Sequence, residues 1–95
     1  MPTYITLLTY TPQGIEKIKE SPARLEKAKA AMKAAGGEMK AFYLTMGGYD
    51  AVAISEAPSN EAYANAILGI ASGGAVRTET LCAFPEADYR KIVTG

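Results

Sequence analysis

Residues 43–54 read Tyr43-Leu44-Thr45-Met46-Gly47-Gly48-Tyr49-Asp50-Ala51-Val52-Ala53-Ile54, and this stretch decides the fold. Two β-prone apolar segments flank a pair of glycines, the composition of a strand, a tight turn and a returning strand. The turn hands over directly to a tyrosine and a carboxylate. Glu38 to Met46 is therefore expected as one strand and Ala51 to Glu56 as the next, paired as an antiparallel hairpin. Phe42 and Leu44 share one face of the first strand. Met39, Ala41, Tyr43 and Thr45 share the other. Val52 and Ile54 are assigned to the core face of the second strand.

Upstream of this hairpin, Thr3 to Tyr10 is rich in β-branched and aromatic residues and reads as a strand. Ile5 and Leu7 lie on one of its faces, Tyr4, Leu8 and Tyr10 on the other, so both faces are expected to be covered. Thr11-Pro12 resembles a helix start, with a capping hydroxyl and a proline where no amide hydrogen is missed. Ile15, Ile18, Leu25, Ala28, Met32 and Ala35 follow at helical spacing. The stripe keeps its register across Ser21-Pro22, so one helix kinked at Pro22 is expected. Its lysines and glutamates form a solvated face, and Gly36-Gly37 ends it.

Downstream, Pro58-Ser59-Asn60-Glu61 opens a second helix whose apolar stripe is Tyr63, Ala66, Ile67 and Ile70. Ser72-Gly73-Gly74 ends it. Ala75 to Phe84 is a fourth strand, and Pro85-Glu86-Ala87-Asp88 starts a short last helix. The order β-α-β-β-α-β is that of the ferredoxin-like split β-α-β unit, an α+β class with an antiparallel sheet and helices on one face. The third strand then lies between the first and second, and the fourth on the other side of the first. Thr11-Pro12-Gln13-Gly14, the Met46–Asp50 turn and Ser72-Gly73-Gly74 should converge at one edge.

With 95 residues the chain is expected to be one domain, spanning 1–95. Ten basic and ten acidic residues cancel, so no net field draws in nucleic acid or an anionic membrane. No apolar run approaches the roughly 20 residues of a membrane-spanning helix. With no secretory pattern at Met1-Pro2-Thr3-Tyr4 and one cysteine, a cytoplasmic protein is expected. Histidine is absent, which removes imidazole bases, haem ligation by histidine and the common zinc arrangements. Cys82 lacks the partner that usually activates a thiolate and reads as a small buried hydrophobe. No phosphate-loop or dinucleotide glycine pattern occurs, so no cofactor and no metal are expected.

The helix-free face of the sheet is assigned Tyr43, Thr45, Ala51, Ala53 and one or other set from strand four, Arg77/Glu79 or Thr78/Thr80. Such a face is too apolar to be left wet on so small a chain. A symmetric homo-oligomer is expected, a dimer closing sheet against sheet into an α+β barrel.

The turn Gly48-Tyr49-Asp50, set in Phe42-Tyr-Leu-Thr-Met-Gly-Gly-Tyr-Asp-Ala-Val-Ala, resembles the signature of the GYD-domain family. Tyr10-Thr-Pro-Gln-Gly14, Ser21-Pro-Ala-Arg24 and Gly74-Ala-Val-Arg-Thr-Glu-Thr-Leu81 support it, so that the resemblance covers nearly the whole chain. That family consists of small, mostly bacterial proteins of unassigned function, and the resemblance implies a fold similar to the dimeric α+β barrel superfamily. That wider group includes cofactor-free monooxygenases, lactone isomerases, haem-dependent enzymes and ligand-sensing domains, and a shared fold does not choose among them.

Five residues are candidates for a site. Asp50 either fixes the hairpin by holding backbone amides or acts as general base or ligand anchor beside the Tyr49 phenol. Arg77, with Glu79 two residues on, makes an interface ion pair or grips an anionic substrate. Tyr43 and Thr45 pack at the interface or line a pocket there. The reading is a homo-oligomeric small-molecule-binding protein, with the ligand between the sheet and its partner subunit. A cofactor-independent enzyme using Asp50 and Tyr49, monooxygenase- or isomerase-like, is the alternative. A purely structural or assembly role is the third.

Overall fold

A computed structural model describes all 95 residues. The chain runs β1 (Thr3–Tyr10), α1 (Pro12–Glu16), a short 3-10 turn (Ile18–Glu20), α2 (Ser21–Ala34), β2 (Glu38–Leu44), β3 (Ala51–Glu56), α3 (Asn60–Ala71), β4 (Val76–Ala83) and α4 (Glu86–Thr94). The strands form one sheet in the order β2-β3-β1-β4, and every neighbouring pair is antiparallel. This is the expected ferredoxin-like α+β order, with the central β1 paired on both sides.

The segment after β1 corrects the expectation of one kinked helix. The helix stops at Lys17, whose φ of −113° and ψ of 40° leave the helical region, and a new one begins at Ser21. Pro22 has no amide hydrogen to return to Ile18, so a continuous ladder cannot cross it. The guanidinium of Arg24 satisfies the carbonyls freed by the break, donating to Lys17 O at 3.1 Å and Gly14 O at 3.3 Å. Ile15 and Ile18, assigned to the buried stripe, are 55% and 41% exposed.

The face of β3 is also the reverse of the one expected. Ala51, Ala53 and Ser55 are buried beneath the helices, and Val52 and Ile54 are half-buried on the open face. Alternation separates the two faces of a strand but does not say which meets the helices. The pairing does: Phe42 sits opposite Ala53, and Tyr43 opposite Val52. The β2–β3 register shifts between Met39 and Ala41. That bulge, which takes up one residue, brings Met39 to the helix side with Phe42 rather than to the open face with Tyr43. On β4 the register with β1 sets Arg77, Glu79 and Leu81 beside Thr9, Leu7 and Ile5 on the open face, and Thr78 and Thr80 on the helix side. Cys82 is exposed on this edge strand, not buried.

The core cluster is Tyr4, Met32, Ala57, Tyr63 and Ala66, gathered at the end of the sheet where β1 begins. The rings of Tyr4 and Tyr63 stack 4.1 Å apart with 9° between their planes. Ser59 caps α3 by accepting the Ala62 amide, as its place before the apolar stripe suggests. Beyond β4, α4 buries none of its residues and leaves Tyr89, Ile92 and Val93 exposed. No helix is long and apolar enough to cross a membrane.

Candidate functional site

The expected convergence of turns occurs at the end of β1. Thr11 donates its amide to Ala75 O at 3.0 Å and its hydroxyl to Gly74 O at 2.5 Å, and the same hydroxyl accepts the Gly14 amide at 3.1 Å. Gly14 has to be glycine here, because a Cβ would lie 2.1 Å from Ala75 O. On the other side of β1, Asp50 Oδ2 accepts the Tyr10 amide at 2.9 Å, and the Asp50 amide donates to Leu8 O at 2.9 Å. Asp50 O takes the Thr45 amide at 2.9 Å, and the Thr45 hydroxyl donates to Tyr49 O at 2.6 Å. The Asp50 side chain thus stands in for one rung of the β3–β1 ladder, and its main chain closes the hairpin.

Tyr49 reaches across β1 on the open face, where its hydroxyl donates to Glu79 Oε2 at 3.0 Å. That hydrogen bond, then the negative charge of Glu79 and some desolvation, hold the phenol above its ordinary pKa. Glu79, not Arg77, is therefore the neighbour of Tyr49. Within the chain Arg77 makes no hydrogen bond or ion pair and stands exposed opposite Thr9. Tyr43, 58% exposed, lies opposite Val52 on the same face. A shallow hollow beside the turn is lined by Leu7, Thr45, Met46, Tyr49 and Val52. The structure thus brings Thr45, Tyr49 and Asp50 into one hydrogen-bonded turn and leaves Tyr43 and Arg77 separately on the open face.

A second cavity, more enclosed and more apolar, lies on the opposite side of the sheet from the one expected for a ligand. It has a volume of about 350 Å³ and runs between the sheet and α2 and α3. Twelve of its 18 lining residues are apolar. It exists because the facing positions are small: Ala28 and Ala31 on α2, Ala51 and Ala53 on β3, Gly69 on α3 and Ala75 before β4. The tyrosine stack fills the interior at the other end. There, Thr6 joins the hydroxyl of Tyr63 to that of Thr80, and Tyr4 donates to Asn60 Oδ1 at 2.6 Å. Burial pushes both phenols above their ordinary pKa; bonds from Thr6 and Thr80 partly offset this at Tyr63. The cavity is invisible in the sequence because each alanine, taken alone, reads as an ordinary helix or strand filler. No three histidine, cysteine, aspartate or glutamate side chains gather closely enough to hold a metal ion.

The GYD-domain family profile matches residues 4–93. The chain belongs to the GYD-domain family. A member from Thermus thermophilus, named glutamine synthetase and cystathionine beta-lyase binding protein, is 38% identical over 89 residues, which is 93% of this chain and 94% of that protein. Among solved structures, a feast or famine regulatory protein of Mycobacterium tuberculosis, complexed with L-methionine, superposes with a TM-score of 0.69 at 19% identity. The likeness covers 90% of this GYD chain but 51% of the regulator, so the chain spans about half of that protein's length. A solved structure from Thermus thermophilus gives a TM-score of 0.57 at 26% identity, over 90% of this chain and 95% of its own. The structural likenesses establish the fold.

Proposed function

We propose that this GYD-domain chain is a binding protein that holds a small molecule in the helix–sheet cavity and works as a homodimer through its open sheet face. The cavity carries the reading. A volume of about 350 Å³ falls within the roughly 300–1,000 Å³ of small-molecule sites, and its lining joins a mostly apolar wall to a few polar groups.

The dimer is supported by surface arithmetic. The chain exposes 6331 Å², whereas a compact monomer of its 10.0 kDa exposes about 5,200 Å². The excess of roughly 1,100 Å² is shared by the open sheet face and α4, none of whose residues is buried, and a standard interface takes about 800 Å² from each partner. Ile5, Leu7, Tyr43, Val52, Ile54 and Leu81 supply an apolar centre, and Arg77 and Glu79 a polar rim. In this arrangement Tyr43, Thr45, Tyr49 and Arg77 are interface residues.

The enzymatic alternative draws less support, because the Asp50 carboxylate already holds the Tyr10 amide. A second reading, protein partners among metabolic enzymes, is favoured by the name of the Thermus relative, 38% identical over nearly its full length.

The neutral fluorophore N-phenyl-1-naphthylamine tests the cavity. It should bind the wild type with enhanced emission and fail to bind Ala53→Phe, whose new ring fills the space. Equal binding by the two proteins would refute the cavity reading. For the second reading, purified glutamine synthetase should co-elute with the chain in size-exclusion chromatography; separate elution would count against it.

A further inference from the structure

The cavity also has a polarity, and the geometry points to its ligand as a small monoanion with an apolar body, its carboxylate or sulfonate held at the Arg24 end. This deepens the binding reading above and rests on it.

The charged lining residues are Arg24 and Lys27, both cationic; no carboxylate lines the cavity. Both project from the first two turns of α2. At the same end the Tyr10 hydroxyl and Ser21 Oγ lie 3.2 Å apart, two rotatable hydroxyls able to turn their hydrogens toward an incoming oxygen. The half-buried Arg24 guanidinium and the two hydroxyls, near the positive end of a 14-residue helix, offer donors to an anion at the mouth of an apolar chamber, and the exposed Lys27 adds a second positive charge on the same rim.

The counter-charges nearby do not cancel this. Glu20 Oε2 is 3.9 Å from Arg24 Nη1 and largely exposed, so its attraction is weak and screened. Asp50 is engaged with the Tyr10 amide and does not line the space. Arg24 uses Nη1 and Nη2 on two backbone carbonyls, which fixes the head in place and leaves further N–H donors uncommitted. The lining residues Leu8, Phe42, Ile70 and Val76 offer only apolar contact. A zwitterion fits poorly, since its ammonium would meet no acid and two cations.

Isothermal titration with three ligands of equal chain length, octanoate, 1-octanol and octylamine, tests the inference. Octanoate should bind at least about tenfold more tightly than 1-octanol, and octylamine should not bind. Arg24→Gln should weaken octanoate about tenfold more than it weakens 1-octanol, with circular dichroism as the control for folding. Should that variant not fold, Ser21→Asp puts a carboxylate at the same end, and should weaken octanoate by a larger factor than 1-octanol. Equal affinity for octanoate and 1-octanol, or a preference for octylamine, would overturn the anion assignment and leave the cavity reading intact. Failure of all three to bind the wild type would overturn both.

Discussion

The carboxylate of Asp50 accepts the main-chain amide of Tyr10 at 2.9 Å, closing the ladder between β3 and β1 at the point where the glycine turn ends. The bond is charge-assisted and half-buried, and the Asp50 main chain is tied to Leu8 and Thr45 on either side. Removing the carboxylate leaves an amide without a partner at the end of the central strand. Asp50→Ala should cost about 1–2 kcal/mol in urea unfolding, whereas Asp50→Asn, which keeps an acceptor, should recover most of it. Equal stability of the alanine and wild-type proteins would contradict the latch.

Gly14 and Gly48 make a matched pair. A methyl group on Gly14 would meet Ala75 O at 2.1 Å and push α1 away from β4, whereas one on Gly48 meets nothing within 4 Å. Gly14→Ala should destabilise by about 2 kcal/mol, and Gly48→Ala should stay within about 0.5 kcal/mol of the wild type. Thermal melting of the two variants checks this, and reversal of their order would refute the packing.

Tyr63 and Tyr4 should make the fold sensitive to alkali. Both phenols ordinarily ionise near 10.0, and burial raises them in the folded chain. Between the unfolded and folded values the unfolded chain holds fewer protons. Stability should therefore be flat below the unfolded pKa and fall as pH rises through and beyond it. Tyr63→Phe should shallow that fall. Absorbance at the phenolate band and chemical denaturation on either side of about pH 10 provide the readout, and identical pH profiles for the two proteins would remove Tyr63 from the argument.

Val52 lies at the middle of the open face, opposite Tyr43 on one side and Leu7 on the other. Val52→Lys adds a charge to that centre without touching the helix side. Light scattering should show a dimer for the wild type and a monomer for the variant, with helix content unchanged. A wild-type monomer at tens of micromolar would exclude the proposed interface.

The hairpin, the caps and the glycine stops follow from local chemistry, which is why the strand order and most element boundaries are legible in the sequence. Thr11 caps α1, Ser59 caps α3, and Gly36, with a φ of 87°, follows the end of α2, each through bonds to residues a few positions away. What escapes the sequence is longer in range. Ala51-Val52-Ala53-Ile54 alternates strictly, and the usual burial of large side chains assigns Val52 and Ile54 to the core. The tertiary packing reverses this: the helices take the alanine side, and Val52 and Ile54 go to the open face. The bulge between Met39 and Ala41 likewise turns Met39 to the helix side, where alternation alone sets it with Tyr43.

The site divides in the same way. The sequence by itself determined the Gly48-Tyr49-Asp50 turn and its place at one edge of the sheet, because glycine, a hydrogen-bonding carboxylate and flanking β-prone residues act over a few positions. Only the tertiary structure decided that Asp50 serves Tyr10, that Tyr49 answers to Glu79, and that an apolar cavity lies beneath the helices. That cavity is made from alanines and glycines on separate segments together with Arg24 at the start of α2. An absence of side-chain volume has no local signature; it becomes a space only when distant small residues are brought face to face.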